Sequence, residues 1–188
     1  MANDLSGGFT DPPKDSARQF RQIMNAMARP GHIVSLSGLT PPVPLSKAQA
    51  SVALTLFDHT TMICLKGKYD NEAVKQWLSF HTGTKYTSPE LADFIICNKD
   101  EIGEISTLKQ GNSEYPDQSA TVIVEYPKLA SGRCRLTGPG IKDAIMISIT
   151  QIAPFRNGQG VFPLGIDFIL TCDDKLMGLP RTTNMEMC

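Results

Sequence analysis

Residues 46–65 read SKAQASVALTLFDHTTMICL, and residues 70–82 follow with DNEAVKQWLSFHT. In the first stretch Ala50, Ala53, Leu54 and Phe57 recur at helical spacing. Residues 61–65 then turn apolar and β-branched, the pattern of a buried strand. In the second, Asp70 or Asn71 offers a helix cap, and Val74, Trp77, Leu78 and His81 form an inner face. Residues 94–97, FIIC, make the next short strand. Helix, strand, helix and strand in this order require a sheet with helices laid against it.

Working toward the N-terminus, residues 1–14 carry Gly7, Gly8, Pro12 and Pro13 and read as an irregular arm. A helix is expected from Asp15 or Ser16, with Ala17, Phe20, Met24 and Met27 as its buried stripe and Pro30-Gly31 as its stop. Residues 33–36 alternate briefly, and the prolines of residues 39–45 imply an extended loop. Toward the C-terminus, Ile102, Ile105 and Leu108 suggest a short helix ended by Gly111. Strands are expected at 120–126, at 133–137 before the Gly138-Pro139-Gly140 turn, and at 166–172. Residues 176–179 return after an Asp173-Asp174 turn. Residues 144–152 lean toward strand, and residues 157–160 read as loop. Helices alternate with strands early and strands dominate late. The fold class is therefore α/β, one domain over 1–188 with a mixed central sheet flanked by helices.

The chain has 188 residues, 41% of them hydrophobic and 20% charged, which is globular composition. Lys and Arg total 18 against 19 Asp and Glu, and neither half is strongly charged, so nothing marks a nucleic-acid or membrane partner. Five cysteines without a C-x-x-C argue against a zinc site and for reduced thiols in the cytoplasm. The first residues lack the basic and apolar regions of a signal peptide. No nucleophile elbow, phosphate loop, dinucleotide fingerprint or H-E-x-x-H is present, so no catalytic residue, metal ligand or cofactor is assigned.

The polar residues that stand out are arginines. Arg18 and Arg21 lie beside the first helix stripe, and Arg133 and Arg135 share one face of a strand. Arg181-Thr182-Thr183, after Pro180, offers a guanidinium fork, two hydroxyls and backbone N–H groups to a phosphate oxygen. Taken alone, an ion pair or interface role for these arginines is the stronger reading. Asp167 sits among apolar neighbours and needs a partner, so it anchors an arginine or serves function directly. His59 in its loop and the Asp173-Asp174 turn read better as surface structure than as a base or a cation site. The candidate ligand-binding set is Arg21, Arg135, Asp167, Arg181, Thr182 and Thr183.

Together the motifs are more specific than any one alone. Arg18-x-Phe20-Arg21-x-x-Met24-x-Ala26-Met27-x-x-Pro30-Gly31 resembles the N-terminal signature of the PhnH family. Leu54-Thr55-Leu56-x-Asp58, Phe80-His81-Thr82 and Leu136-Thr137-Gly138-Pro139-Gly140-Ile141 also resemble that family. So do Phe162-Pro163-Leu164-Gly165-Ile166-Asp167, Leu170-Thr171-Cys172 and Leu179-Pro180-Arg181-Thr182-Thr183, all in family order.

The resemblance implies a subunit of the bacterial carbon–phosphorus lyase core complex. Such a subunit supports formation of alpha-D-ribose 1-methylphosphonate 5-triphosphate from ATP and methylphosphonate, without evident catalysis of its own. It implies PhnG, PhnI and PhnJ as partners, and a subunit surface built for burial is expected to self-associate, as a homodimer, in isolation. It also implies a fold like the large domain of pyridoxal-phosphate-dependent transferases without the cofactor, and a helix between residues 141 and 162. The alternative from the residues themselves is an autonomous phosphonate- or nucleotide-binding protein or small-molecule transferase.

Overall fold

The computed structural model of the chain describes residues 5–149, 151–158, 160 and 162–188. Four α-helices are present among them: α1 (Pro12–Ala28), α2 (Lys47–Leu56), α3 (Glu72–Thr82) and α4 (Ala153–Gly158). The strands are β1 (Ile33–Ser35), β2 (Met62–Leu65), β3 (Lys85–Tyr86), β4 (Phe94–Asn98), β5 (Thr121–Glu125), β6 (Cys134–Thr137), β7 (Ile145–Ile147), β8 (Asp167–Cys172), β9 (Lys175–Leu179) and β10 (Asn184–Met187). Seven strands form one mixed sheet in the order β1-β9-β8-β5-β4-β2-β3. Strands β3, β2, β4, β5 and β8 run parallel, while β9 is antiparallel to both β8 and β1. The expected mixed α/β architecture is thus present.

Local chemistry sets the helix ends. Ser46 and Gln49 form a reciprocal capping box at α2. The Asn71 side chain accepts from the Val74 N–H at the start of α3, and Gly83 ends that helix in the left-handed region. Both faces of the large sheet are covered. Ile63, Leu65, Ile96, Ile123 and Ile169 point into one core layer with Ala53, Val74, Trp77 and Leu78 of the helices. The alternate residues Cys64, Ile95, Val122, Val124, Phe168 and Leu170 point the other way. There they meet Leu136, Ile147, Phe155 and Met185, contributed by α4 and a second, three-stranded sheet ordered β10-β6-β7. Period-2 alternation in strands buried on both sides produces these two layers.

Several expectations are corrected. The first helix begins at Pro12 rather than Asp15, because proline suits the first turn of a helix, where its missing N–H costs nothing. The arm is therefore shorter than residues 1–14, and its described part is tied down. The Trp77 indole donates to the Ser6 carbonyl (2.8 Å), and His81 Nε2 lies 2.9 Å from the Leu5 carbonyl. The buried face of α1 is Gln19, Ile23 and Ala26, not the stripe through Ala17, Phe20 and Met24; Phe20 is 45% and Met24 55% exposed. The helix is rotated because its backbone lies directly on β9. A Cβ on Gly178 would stand 2.7 Å from the Ala26 carbonyl oxygen.

The helix expected near residues 102–108 is a single 3-10 turn, Ile105–Thr107. Within 144–152 the strand is limited to Ile145–Ile147. The helix implied between 141 and 162 is the short α4, which takes in Asn157 and Gly158 of the expected loop. Residues 150, 159 and 161 lie outside the described set. The second sheet, closed by β10, was not foreseen. All five cysteines are free.

Candidate functional site

Asp167 opens β8, and Arg181 lies just past the end of β9, the strand that folds back beside it. The two therefore meet. Asp167 Oδ1 accepts from the Arg181 backbone N–H (2.8 Å) and from Nε (3.2 Å), and Oδ2 accepts from NH2. The remaining guanidinium hydrogens go to the carbonyls of Pro116 (2.9 Å) and Pro163 (3.3 Å) and to the Ser119 hydroxyl. All five guanidinium donors are engaged, so in this conformation none is left for an anion. The hollow beside Arg181 and Thr183 holds about 10 Å³, room for at most one water.

The other candidates stand apart from this pair. Arg21 is exposed on α1. Arg135, on β6, reaches the facing Glu186 of β10 at 3.5 Å. Thr183 is buried, its N–H bonded to the Pro180 carbonyl (2.9 Å). Thr182 lies against the Gly138-Pro139-Gly140 turn: a Cβ on Gly138 would come within 2.8 Å of the Thr182 oxygen, and one on Gly140 within 2.2 Å of the Ala28 oxygen. The end of α1, the glycine turn and the Thr182 loop, three motifs far apart in sequence, thus pack together.

His59 is exposed in its loop, where Asp58 is the hub instead. Asp58 Oδ1 accepts from the N–H and hydroxyl of both Thr60 and Thr61. Those bonds, chiefly the two from Thr60, hold its carboxyl down at about 2. The Asp173-Asp174 pair is a turn, as expected. Its carbonyls accept from Ala48 N–H (2.8 Å) and Leu36 N–H (2.7 Å), seating the start of α2.

A different region has the form of a site. The chain orders β2 and β3 outward, then places β4 on the opposite side of β2, so the crossover direction reverses there. In open α/β sheets the crevice at the carboxyl ends of such strands is where ligands bind. This crevice is an open cleft of about 530 Å³, within the usual size range for small-molecule sites. Asn98, Lys99 and Asp100 line it from the end of β4, Glu125 and Tyr126 from the end of β5, Cys172 and Asp173 from the end of β8, Lys68 from the turn after β2 and Ser46 from the cap of α2.

Glu125, in its lining, is held from three sides. Oε2 accepts from the Ser46 hydroxyl (2.8 Å) and the Thr171 hydroxyl, and Oε1 from the Asp173 N–H (3.1 Å). Gln49, whose Oε1 accepts from the Ser46 N–H, keeps its Nε2 fully buried without a hydrogen bond among the described residues. The buried Tyr69 hydroxyl lies close to that amide without a bond of normal geometry, and burial pushes it up to about 12. Sequence reasoning missed this cleft. Its one legible signal was Glu125, a carboxylate ending an apolar run. Among the described residues no cluster of three or more His, Cys, Asp or Glu is placed to hold a metal ion.

These elements make a mixed-sheet α/β fold, covered on both faces, with a polar cleft at the carboxyl edge of its parallel strands. The family model for the bacterial phosphonate metabolism protein (PhnH) matches residues 7–186. The chain is 36% identical over 190 residues to the alpha-D-ribose 1-methylphosphonate 5-triphosphate synthase subunit PhnH of Rhizobium meliloti (strain 1021), covering 96% of this chain and 95% of that protein. It is also 29% identical over 174 residues to HtxG of Stutzerimonas stutzeri, named as a candidate C-P lyase subunit protein, covering 89% of this chain and 84% of HtxG. The chain belongs to the PhnH family.

Proposed function

We propose that the chain is the PhnH-type subunit of the carbon–phosphorus lyase system in organophosphonate catabolism. In that role it supports formation of alpha-D-ribose 1-methylphosphonate 5-triphosphate from ATP and methylphosphonate. The observation that carries this reading is the end-to-end identity with a relative bearing that subunit's name. The partners in this reading are PhnG, PhnI and PhnJ, with a homodimer when they are absent, in the cytoplasm. No helix among the described residues is long and apolar enough to cross a membrane. The outward Phe20 and Met24 of α1 support burial of that face in an assembly. The seven-stranded mixed sheet, layered on both sides, supports kinship with the large domain of pyridoxal-phosphate-dependent transferases, with the cofactor absent from the role.

Co-expression with PhnG, PhnI and PhnJ from one source, followed by size-exclusion chromatography with light scattering, tests the assignment. A single particle of defined stoichiometry containing this chain is expected. Assembly of the other three without it would overturn the reading. The cleft favours one second reading, an autonomous ligand-binding protein or transferase.

A further inference from the structure

We propose that the cleft at the carboxyl edge of β2, β4, β5 and β8 binds a hydroxyl-bearing ligand with one anionic end, the chemistry of a sugar monophosphate. The hydroxyls would meet Glu125, and the anionic group Lys68 and Lys99. The inference stands on these side chains and not on the subunit assignment.

Glu125 is an oriented acceptor. Three donors hold its two oxygens, yet the residue still borders the cleft, with acceptor capacity remaining on Oε1. A group arriving there must donate, as a hydroxyl does. Lys68 and Lys99 also border the cleft. Lys68 rests over the Tyr69 ring at 5.1 Å. Lys99 is held by its neighbour Asp100 at 2.6 Å in an exposed pair, a contact weak enough for a phosphate to displace. Charge then narrows the class. The lining carries both signs, Glu125, Asp100 and Asp173 beside two lysines, so it offers acceptors to donors and cations to a negative end. A purely basic ligand would leave both lysines repelled. A neutral body with a single anionic end satisfies both sets.

Calorimetric titration of the full chain with ribose 5-phosphate tests this, with ribose and inorganic phosphate titrated separately. Amide NMR spectra would follow Asn98, Asp100 and Asp173. Saturable binding of ribose 5-phosphate is expected, with shifts at those three amides. Affinity should fall about tenfold or more in Glu125→Gln and in the Lys68→Ala, Lys99→Ala double variant, since each removes a charge-assisted bond. The lysine variant alters exposed side chains and keeps the test open if Glu125→Gln does not fold. Absence of saturable binding at millimolar ligand would overturn the proposal. So would unchanged affinity in the folded variants, or inorganic phosphate or ribose alone binding as tightly as the sugar phosphate.

Discussion

Arg181 illustrates how one side chain can hold several segments at once. Its guanidinium joins β8 through Asp167, the segment before β5 through Pro116 and Ser119, and the loop before β8 through Pro163. Removing one partner of such a little-exposed pair strands the other charge, so Arg181→Ala should cost about 3 kcal/mol in urea unfolding. Changing Asp167 and Arg181 together should cost less than the two single changes added, because the pair is lost only once. Asp58 sets a pH dependence of definite sign. Its carboxyl titrates at about 2 when folded, against 3.8 ordinarily. The stabilisation it gives is complete above the higher value and is lost as pH falls toward 2. The stability difference between the parent and Asp58→Asn should therefore shrink between those two pH values. A side-chain carboxyl titration by NMR that placed Asp58 near 4 would refute the assignment.

At the scale of elements, the tightest constraint is the contact of α1 with β9. Gly178 lets the helix backbone approach the strand directly, and a methyl there meets the Ala26 carbonyl. Gly178→Ala should therefore destabilise by about 1–3 kcal/mol through overpacking, read as a lower urea midpoint with unchanged slope. This contact also explains a limit of sequence reading. The α1 sequence offers two overlapping helical faces, and hydrophobicity favoured the one through Phe20 and Met24. Close approach to β9 selects Ile23, Ala26 and Gln19 instead, with Gln19 Nε2 donating to the Ser37 carbonyl at 2.8 Å. The parallel strands were legible because Ile95, Ile123 and Ile169 lie in apolar runs buried on both faces. Strand β10 was not legible, since Asn184 and Glu186 break any apolar pattern and only pairing with β6 makes it a strand. The Asp167–Arg181 contact was legible as a buried carboxylate needing a partner. The cleft was not, because Ser46, Lys68, Lys99, Glu125 and Asp173 converge only once five separate segments are in place.

Across the whole molecule, the two ends of the parallel sheet differ. The amino end is drawn together by side chains: Asp93 takes the Met62 N–H and the Lys109 ammonium, and Arg181 ties three further segments. The carboxyl end stays open as the cleft, with its carboxylate fixed from three directions. The amino end keeps a smaller hollow of about 320 Å³, bordered by Thr61, Asp93, Ser119 and Thr121.

The antiparallel edge of the sheet has a consequence for synthesis. Strand β1 emerges early, yet Ile33 sits opposite Met177, and α1 lies on the strand that carries Gly178. During translation the first helix and strand have no sheet to join until β9 leaves the ribosome tunnel. Helix α2 waits as well, since Ala48 and Glu125 are anchored by the Asp173 backbone. Ribosome-bound chains stalled before residue 175 should be cleaved readily by protease within α1, and chains with β9 fully emerged should resist. The α1–β1 segment thus gains its strand partner only after residues 175–179 are made.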